Sequence, residues 1–284
     1  MTDVRDEAVA TARTEAPASD RGNFIWYELM TTDPDGAKVF YDALVGWNIE
    51  SRSNFPNGYR MIGRSDGGFA GGVLPLTAEM QQHGARPTWL GYIHVEDVDA
   101  AVASIEEAGG KALMPAFDIP DVGRVALVAD PQGAPFYIMK PIPPANDPNA
   151  RSDVFSADAE QRVGWNELQT TDQAAARSFY GTQFGWGSDE FMDMGEMGEY
   201  RFWDHRGTRL GAVFHNSDEG FDAKNDARSR WRFYIRVPSI AKAKETVEQK
   251  GGTVAMGPHQ VPTGDWILIG SDPQGAEFAL VGGQ

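Results

Sequence analysis

The most constraining feature of this 284-residue sequence is a long internal repeat. A series of short motifs occurs near the start and returns 139 residues later (167 − 28, and likewise 186 − 47). The first copy contains Trp26-Tyr27-Glu28-Leu29, Thr31-Thr32-Asp33, Phe40-Tyr41 and Gly46-Trp47, and the second contains Trp165-Asn166-Glu167-Leu168, Thr170-Thr171-Asp172, Phe179-Tyr180 and Gly185-Trp186. A repeat of this length indicates two copies of one folded unit, so we expect two domains.

The first repeat begins with a strand that has two distinct faces. Ile25, Tyr27 and Leu29 alternate with Trp26, Glu28 and Met30, which is the period of a β-strand. Asp33-Pro34 then predicts the start of a helix and Gly46 its end. Three strands are predicted to follow, at Trp47–Ser51, Tyr59–Arg64 and Phe69–Leu76.

The same order of elements then starts again within the first half. The predicted elements are a strand at Trp89–Val95, a helix at Val98–Glu107, and strands at Lys111–Met114, Arg124–Ala129 and Phe136–Lys140. The turn Asp130-Pro131-Gln132-Gly133-Ala134 recurs letter for letter at residues 272–276. The chain therefore contains four β-α-β-β-β units.

We divide the chain into a disordered arm (1–22), a first domain (23–141), a linker (142–162) and a second domain (163–284).

Composition restricts the partners and the compartment. The 41 acidic and 25 basic residues give a net charge of −16, which disfavours nucleic acid and anionic membranes as partners. The absence of cysteine excludes disulfides and thiol nucleophiles and fits a reducing compartment. The arm is mixed in charge, with Asp3, Asp6 and Glu7 where a secretory signal would carry only basic residues, and no apolar run follows. We therefore expect no export signal and a cytoplasmic protein.

These motifs resemble those of the vicinal oxygen chelate superfamily, which includes glyoxalases, bleomycin resistance proteins and extradiol dioxygenases. The resemblance is carried by Asp33 with Phe40-Tyr41 and Gly46-Trp47, by residues 95–101, by Gly109-Gly110 and by residues 130–134, each with a counterpart in the second half. It implies an α+β fold in which paired β-α-β-β-β units form a curved mixed sheet, with helices outside and a ligand cup inside. The same fold supports many chemistries, so function depends on the cup residues.

Under this resemblance, strand alternation predicts which side chains face each cup. Ile93 and Val95 should pack under a helix, while Leu90, Tyr92 and His94 point the other way. The predicted ligand-binding residues of both cups are Trp26, Tyr92, Tyr137, Trp165, Arg232, Tyr234 and Arg236. Their aromatic character suits a flat, apolar or aromatic ligand, although the same side chains could simply fill the cups.

The resemblance also implies a divalent metal, but the expected ligand positions carry other residues. Seven residues before the helix-capping aspartates stand Trp26 and Trp165, and seven after the turn aspartates stand Tyr137 and Ala279. Neither indole nor methyl groups bind metal ions. We therefore predict no cofactor and no metal ligand, and keep a divalent metal at shifted positions as the alternative.

Three residues are candidates for catalysis: Glu28, His94 and Glu167. A carboxyl facing an apolar cup should have a raised pKa and is suited to act as a general base or to orient a polar ligand. The competing interpretation is that each glutamate is structural, bonded to backbone or to an arginine. His94 could relay a proton beside Glu28, and Arg232 and Arg236 could bind a carboxylate ligand or pair with Glu167.

Apart from a structural or interaction module whose cups are packed shut, two functions remain open at this point. One is a binding protein of the bleomycin-resistance kind that holds a small apolar or aromatic molecule without the usual metal. The other is an enzyme of the same superfamily, a glyoxalase-like lyase or isomerase or an extradiol-type dioxygenase, acting on a small oxygenated substrate. The two domains should pair within one chain, which fits a monomer as well as a homodimer.

Overall fold

The computed structural model describes residues 20–215 and 228–284 and confirms two α+β domains, one in each repeat. Most of the predicted disordered arm, residues 1–19, lies outside the described residues. The described end of the arm contacts the second domain. Trp186 Nε1 donates a hydrogen bond to the Gly22 carbonyl at 2.8 Å, and His205 Nε2 lies 2.9 Å from the Arg21 carbonyl oxygen.

The first domain contains eight strands and three helices. The strands are β1 (Phe24–Thr31), β2 (Asn48–Ile49), β3 (Arg60–Gly63), β4 (Phe69–Pro75), β5 (Thr88–His94), β6 (Lys111–Ile119), β7 (Gly123–Ala129) and β8 (Pro135–Pro141). The helices are α1 (Pro34–Val45), α2 (Ala78–Gln82) and α3 (Val98–Glu107). The short helix α2, between β4 and β5, is not predicted from the sequence.

The second domain repeats this order over its described residues. Its strands are β9 (Val163–Thr170), β10 (Phe191–Asp193), β11 (Glu199–His205), β12 (Thr208–His215), β13 (Arg230–Val237), β14 (Thr253–Gln260), β15 (Trp266–Ser271) and β16 (Glu277–Gly282). Its helices are α4 (Gln173–Phe184) and α5 (Ile240–Gln249), with a 3₁₀ turn at Gly195–Met197.

Each domain is built on one open sheet of eight mixed strands. The strand order is β2-β3-β4-β1-β5-β8-β7-β6 in the first domain and β10-β11-β12-β9-β13-β16-β15-β14 in the second. The first strand of each domain lies at the centre, parallel to one neighbour and antiparallel to the other. Side chains of this central strand therefore have neighbours from both β-α-β-β-β units.

The predicted helix signals act as expected. The Asp33 side chain accepts a hydrogen bond from the Gly36 backbone N–H at 2.9 Å, and Pro34 opens α1. Gly46 ends α1 with φ of 82°, a left-handed conformation that glycine adopts without strain. Asp172 and Gly185 do the same for α4. The helices therefore begin and end where the repeat places these residues.

Strand alternation separates a face that carries the helices, the helix face, from the opposite cup face. Ile93 and Val95 belong to the helix-face core, while Leu90 and Tyr92 belong to a separate apolar cluster on the cup face, as predicted. Ile25 departs from the prediction, because it lies in the cup-face cluster rather than beside Tyr27. A register irregularity between residues 24 and 26 interrupts the alternation there.

The edge strand β6 is longer than predicted. It continues past Pro115 to Ile119, whereas the sequence predicts its end at Met114. Proline lacks the N–H that a central strand needs, but it is tolerated at a sheet edge or a bulge. Both conditions hold for β6, which pairs only with β7 and has register shifts on both sides of Met114.

The helix faces of the two domains pack against each other and share one aromatic core. Helix α1 packs on α5, and α3 packs on α4. The Phe40 and Phe278 rings lie 5.6 Å apart between centroids. Buried hydrogen bonds also cross the interface: Tyr41 and Tyr180 donate to Asp272 and Asp130, each at 3.1 Å. This arrangement leaves both cup faces on the outside of the domain pair.

The linker packs against the first domain. Val154 is 2% exposed, and Asp153 forms an ion pair of 2.6 Å with Arg64. Trp47 Nε1 donates to the Gln161 carbonyl at 2.9 Å. Among residues 20–215 and 228–284, no helix is long and apolar enough to cross a membrane.

Candidate functional site

Glu28 lies at the centre of the first cup. It occupies the middle strand β1, between Gly72 of β4 and Leu90 of β5, and its side chain is directed to the cup face. Only 2% of Glu28 is exposed to solvent. A carboxyl this deeply buried requires hydrogen-bond partners or a proton, because burial penalises the charged form.

Tyrosine hydroxyls surround this carboxyl. The Tyr92 hydroxyl donates to Glu28 Oε2 at 2.8 Å. Tyr137 stands beside Tyr92 in the parallel pairing of β5 and β8, and the two rings stack with centroids 4.2 Å apart. The pair forms a flat aromatic wall next to the carboxyl.

Tyr59 completes the group and is missing from the predicted site. Its hydroxyl accepts a hydrogen bond of 2.7 Å from Trp26 Nε1 and lies close enough to Glu28 to affect the pKa of the carboxyl. The repeat contains a signal for it, because Tyr59-Arg60 recurs as Tyr200-Arg201. Each tyrosine accepts a hydrogen bond from the tryptophan that stands two residues before the glutamate of its domain.

Burial raises the pKa of Glu28 from 4.5 to about 7, while hydrogen bonding from Tyr92, Tyr137 and Tyr59 opposes the rise. The second carboxyl oxygen, Oε1, has no hydrogen-bond partner among the described residues. An unpaired buried polar atom typically costs about 1–3 kcal/mol. Glu28 is therefore a buried carboxyl with a pKa near neutral pH and one oxygen that has no hydrogen-bond partner among the described residues.

The second cup has the same framework but a different charge balance. Trp165 Nε1 donates to the Tyr200 hydroxyl, and this hydroxyl donates to Glu167 Oε2, both at 2.8 Å. Tyr234 lies 3.2 Å from both carboxylate oxygens. In addition, Arg232 Nη1 donates to Glu167 Oε1 at 3.1 Å. Glu167 is thus paired with a buried cation, whereas Glu28 has no such partner within residues 20–215 and 228–284.

Arg232 has a second carboxylate partner. Its Nε donates to Glu277 at 2.9 Å, so the guanidinium bridges two glutamates. Arg236, two residues further along β13, pairs instead with Asp265 at 2.7 Å. The structure therefore joins Arg232 to Glu167 and directs Arg236 elsewhere.

His94 lies two residues beyond Tyr92, about 7 Å along the strand. It is half-buried, its Nδ1 has no hydrogen-bond partner in the described part of the chain, and burial is the main cause of its lowered pKa. The hydrogen-bond partners of Glu28 are tyrosines rather than His94. A proton relay between Glu28 and His94 stays a prediction.

The residues at the family's metal positions do not fit a divalent metal. Ala279 has no donor atom, and burial raises the pKa of the Tyr137 phenol, which disfavours the phenolate that a metal ion would need. The indole N–H groups of Trp26 and Trp165 already donate to tyrosines, and an indole nitrogen has no lone pair for a metal. Within residues 20–215 and 228–284, no three His, Cys, Asp or Glu side chains are grouped as metal ligands. We therefore derive no chemical step through a metal in these cups.

Comparison with known proteins places the chain among proteins of several functions. The sequence model described as the Glyoxalase/Bleomycin resistance protein/Dioxygenase superfamily matches residues 23–138 and 162–280. The chain is 28% identical to the "Putative glyoxylase CFP32" of Mycobacterium bovis over 90% of this chain and 93% of that protein. It is 27% identical to the "Anthracycline biosynthesis protein DauV" of a Streptomyces species over 90% and 91%.

A solved structure of similar fold is the 2,2',3-trihydroxybiphenyl 1,2-dioxygenase of Sphingomonas wittichii. The TM-score is 0.61 at 16% identity, over 93% of this chain and 91% of that chain. At this identity the likeness concerns the fold alone. With one match of the family model in each half, the chain belongs to the glyoxalase, bleomycin resistance protein and dioxygenase superfamily.

Proposed function

We propose that the first cup binds a small aromatic molecule next to Glu28 without a metal ion, and that the second cup is structural. The observation that carries this proposal is the contrast between the two glutamates. Glu28 is buried among tyrosines, and one of its oxygens has no partner in the part of the chain that the structure describes, whereas Glu167 is paired with Arg232. An unpaired polar atom in an apolar, aromatic surrounding is the usual character of a ligand site.

The shape and chemistry of the first cup support an aromatic ligand. The stacked Tyr92 and Tyr137 rings offer a flat wall, and in the second cup Ala279 takes the place of Tyr137. The relative from Streptomyces is named for anthracycline biosynthesis, and anthracyclines contain a planar fused-ring system. Both points favour a planar ligand over a flexible one.

We propose that a ligand reaches Glu28 by displacing the segment around α2. Leu76, Met80 and Ala85, from the segment between β4 and β5, pack on the apolar cluster of the cup face. Helix α2 itself has no buried residue. This segment is therefore the weakest wall of the cup, because it contributes few buried contacts compared with the strands.

The test is a fluorescence titration with 1,4-dihydroxyanthraquinone, a neutral planar probe. Tyr137→Ala, which copies the second cup, and Glu28→Gln should each weaken binding by roughly tenfold, the effect of one aromatic or polar contact. The matched control Glu167→Gln should leave affinity within about twofold of the wild type. Prior dialysis against EDTA should not change affinity.

Equal losses from Glu28→Gln and Glu167→Gln would refute the assignment of the first cup. Loss of binding after EDTA treatment, with recovery on adding a divalent metal, would refute the metal-free site. Absence of measurable binding to the wild type would reject an aromatic ligand of this size.

An enzymatic function of the glyoxalase type is the second candidate. It is favoured by the pKa of Glu28, about 7, since a general base works best with a pKa near the operating pH. Turnover of methylglyoxal with glutathione would then increase with pH around 7, and Glu28→Gln would reduce kcat by roughly 10²- to 10⁴-fold. Wild-type turnover in Glu28→Gln would reject this role.

A further inference from the structure

In the second cup, the buried glutamate Glu167 forms an ion pair with an arginine of the same domain, Arg232. Arg232 is 4% exposed, and its Nη1 donates to Glu167 Oε1 at 3.1 Å. The Tyr200 hydroxyl occupies the other oxygen at 2.8 Å. The repeated framework therefore holds a cation at one oxygen and a tyrosine hydroxyl at the other.

In the first cup the Tyr92 hydroxyl binds Glu28 Oε2, but no cation from the described residues binds this carboxyl. Leu90 faces Glu28 in the pairing of β1 with β5, in the register position that Arg232 occupies opposite Glu167. Pro135, five residues after Asp130, stands where Glu277 stands five residues after Asp272. The first cup thus has apolar residues in place of both Arg232 and Glu277. Glu28 Oε1 has no partner in the described part of the chain.

From this comparison we infer that the ligand of the first cup is an arylalkylamine, an aromatic ring that carries an alkylamine group. Its protonated amino group binds Glu28 Oε1, where Arg232 binds Glu167, and its ring packs against Tyr92 and Tyr137. This inference rests on the proposed function, which requires only that the cup bind an aromatic molecule. An ammonium group also interacts favourably with nearby tyrosine rings.

Charge favours the same ligand. The groups that act on the ionisation of Glu28 are the hydroxyls of Tyr59, Tyr92 and Tyr137, from three different parts of the sheet, and they include no cation. A bound ammonium would supply the missing positive charge and stabilise the ionised carboxylate. Amine affinity should therefore increase from pH 6 to pH 8, since an alkylammonium keeps its proton up to a pKa of about 10.

The test uses three probes with one ring system: 1-naphthylmethylamine, 1-naphthalenemethanol and 1-naphthoate. At pH 8 the amine should bind the wild type roughly 10- to 100-fold more tightly than the alcohol, the range for a hydrogen bond to a charged group. The naphthoate should bind least, because its charge repels that of Glu28. Glu28→Gln should reduce the preference for the amine to less than about threefold.

A second variant imitates the other cup. Leu90→Arg should place a guanidinium on Glu28 and abolish amine binding, whereas the matched control Leu90→Met should keep it. If Leu90→Arg does not fold, the Glu28→Gln comparison decides.

The possible outcomes distinguish failure of the inference about the amine from failure of the proposed function. If the amine and the alcohol bind equally and Tyr137→Ala weakens both, the cup binds aromatic molecules and the inference about the amine is wrong. If no probe binds, or if Tyr137→Ala changes none of the affinities, the proposed function itself is wrong.

Discussion

Replacing Glu28 by glutamine should change how the stability of the protein depends on pH. Glutamine has nearly the same shape and does not titrate. In the wild type, burial raises the pKa of the carboxyl from 4.5 to about 7. Each tenfold change in an equilibrium constant is about 1.4 kcal/mol, so this rise corresponds to roughly 3 kcal/mol of folding free energy.

The direction of the change in stability with pH follows from the direction of the pKa shift of Glu28. A carboxyl with a raised pKa in the folded state favours folding fully below pH 4.5, and this contribution is lost as the pH increases through about 7. Between pH 5 and pH 8 the wild type should lose about 2.5 kcal/mol through Glu28 alone. Glu28→Gln lacks this loss, so it should gain about that amount relative to the wild type.

Urea unfolding followed by tryptophan fluorescence, at pH 5 and pH 8, measures the difference for both proteins. Subtracting the wild type removes the contributions of all other titrating groups. Glu167→Gln is the matched control and should be less stable than the wild type at both pH values, since it disturbs the buried pair with Arg232. A difference between Glu28→Gln and wild type that is the same at pH 5 and pH 8 would refute the reasoning.

Three further predictions concern the framework. Arg232→Leu should lower the free energy of unfolding, measured with urea, by roughly 3–5 kcal/mol because it leaves Glu167 buried without its cation. The double variant Arg232→Leu with Glu167→Leu should recover much of this loss. Tyr27→Phe should lower the free energy of unfolding by roughly 1–3 kcal/mol in the same assay. The reason is that the Tyr27 hydroxyl donates to buried Asn166 Oδ1 at 2.7 Å across the domain interface. An unchanged midpoint of unfolding would contradict this contribution of the hydrogen bond. A chain that begins at residue 24 should melt about 5 °C lower by calorimetry than one that begins at residue 20. The shorter chain loses the contacts of Arg21 with His205 and of Gly22 with Trp186. Equal melting temperatures would show that these contacts do not stabilise the fold.

The sequence predicts the fold well because local signals and the repeat agree. Asp33, Gly46 and their counterparts are helix caps whose chemistry depends on neighbouring residues only, and strand alternation correctly assigns Ile93 and Tyr92 to opposite faces. Ile25 is assigned to the wrong face because the irregularity beside it depends on pairing with β5, a strand more than 60 residues away. Such pairing is not visible in a local pattern.

The site is only partly predictable for a similar reason. Glu28, Tyr92 and Tyr137 follow from alternation on three strands, and they do meet in the cup. Tyr59 was missed because it precedes the short strand β3, where too few residues alternate to define a face. The cation that distinguishes the cups is visible in the sequence as Arg232 in place of Leu90. Its pairing with Glu167 is one of the two interpretations that the sequence leaves open, and the structure shows this pairing for Arg232 but not for Arg236.

The two halves of the chain remain alike where the domains meet and differ where the cups open. Tyr41 with Asp272 and Tyr180 with Asp130 form the same bond in both directions across the interface. Each of these bonds joins one domain to the other, so a change in either half would weaken the contact between both. The cup faces have no such reciprocal constraint, because each lies on the outside of the pair. One cup can therefore contain a buried ion pair, while the other keeps a buried carboxyl whose Oε1 has no hydrogen-bond partner among the described residues.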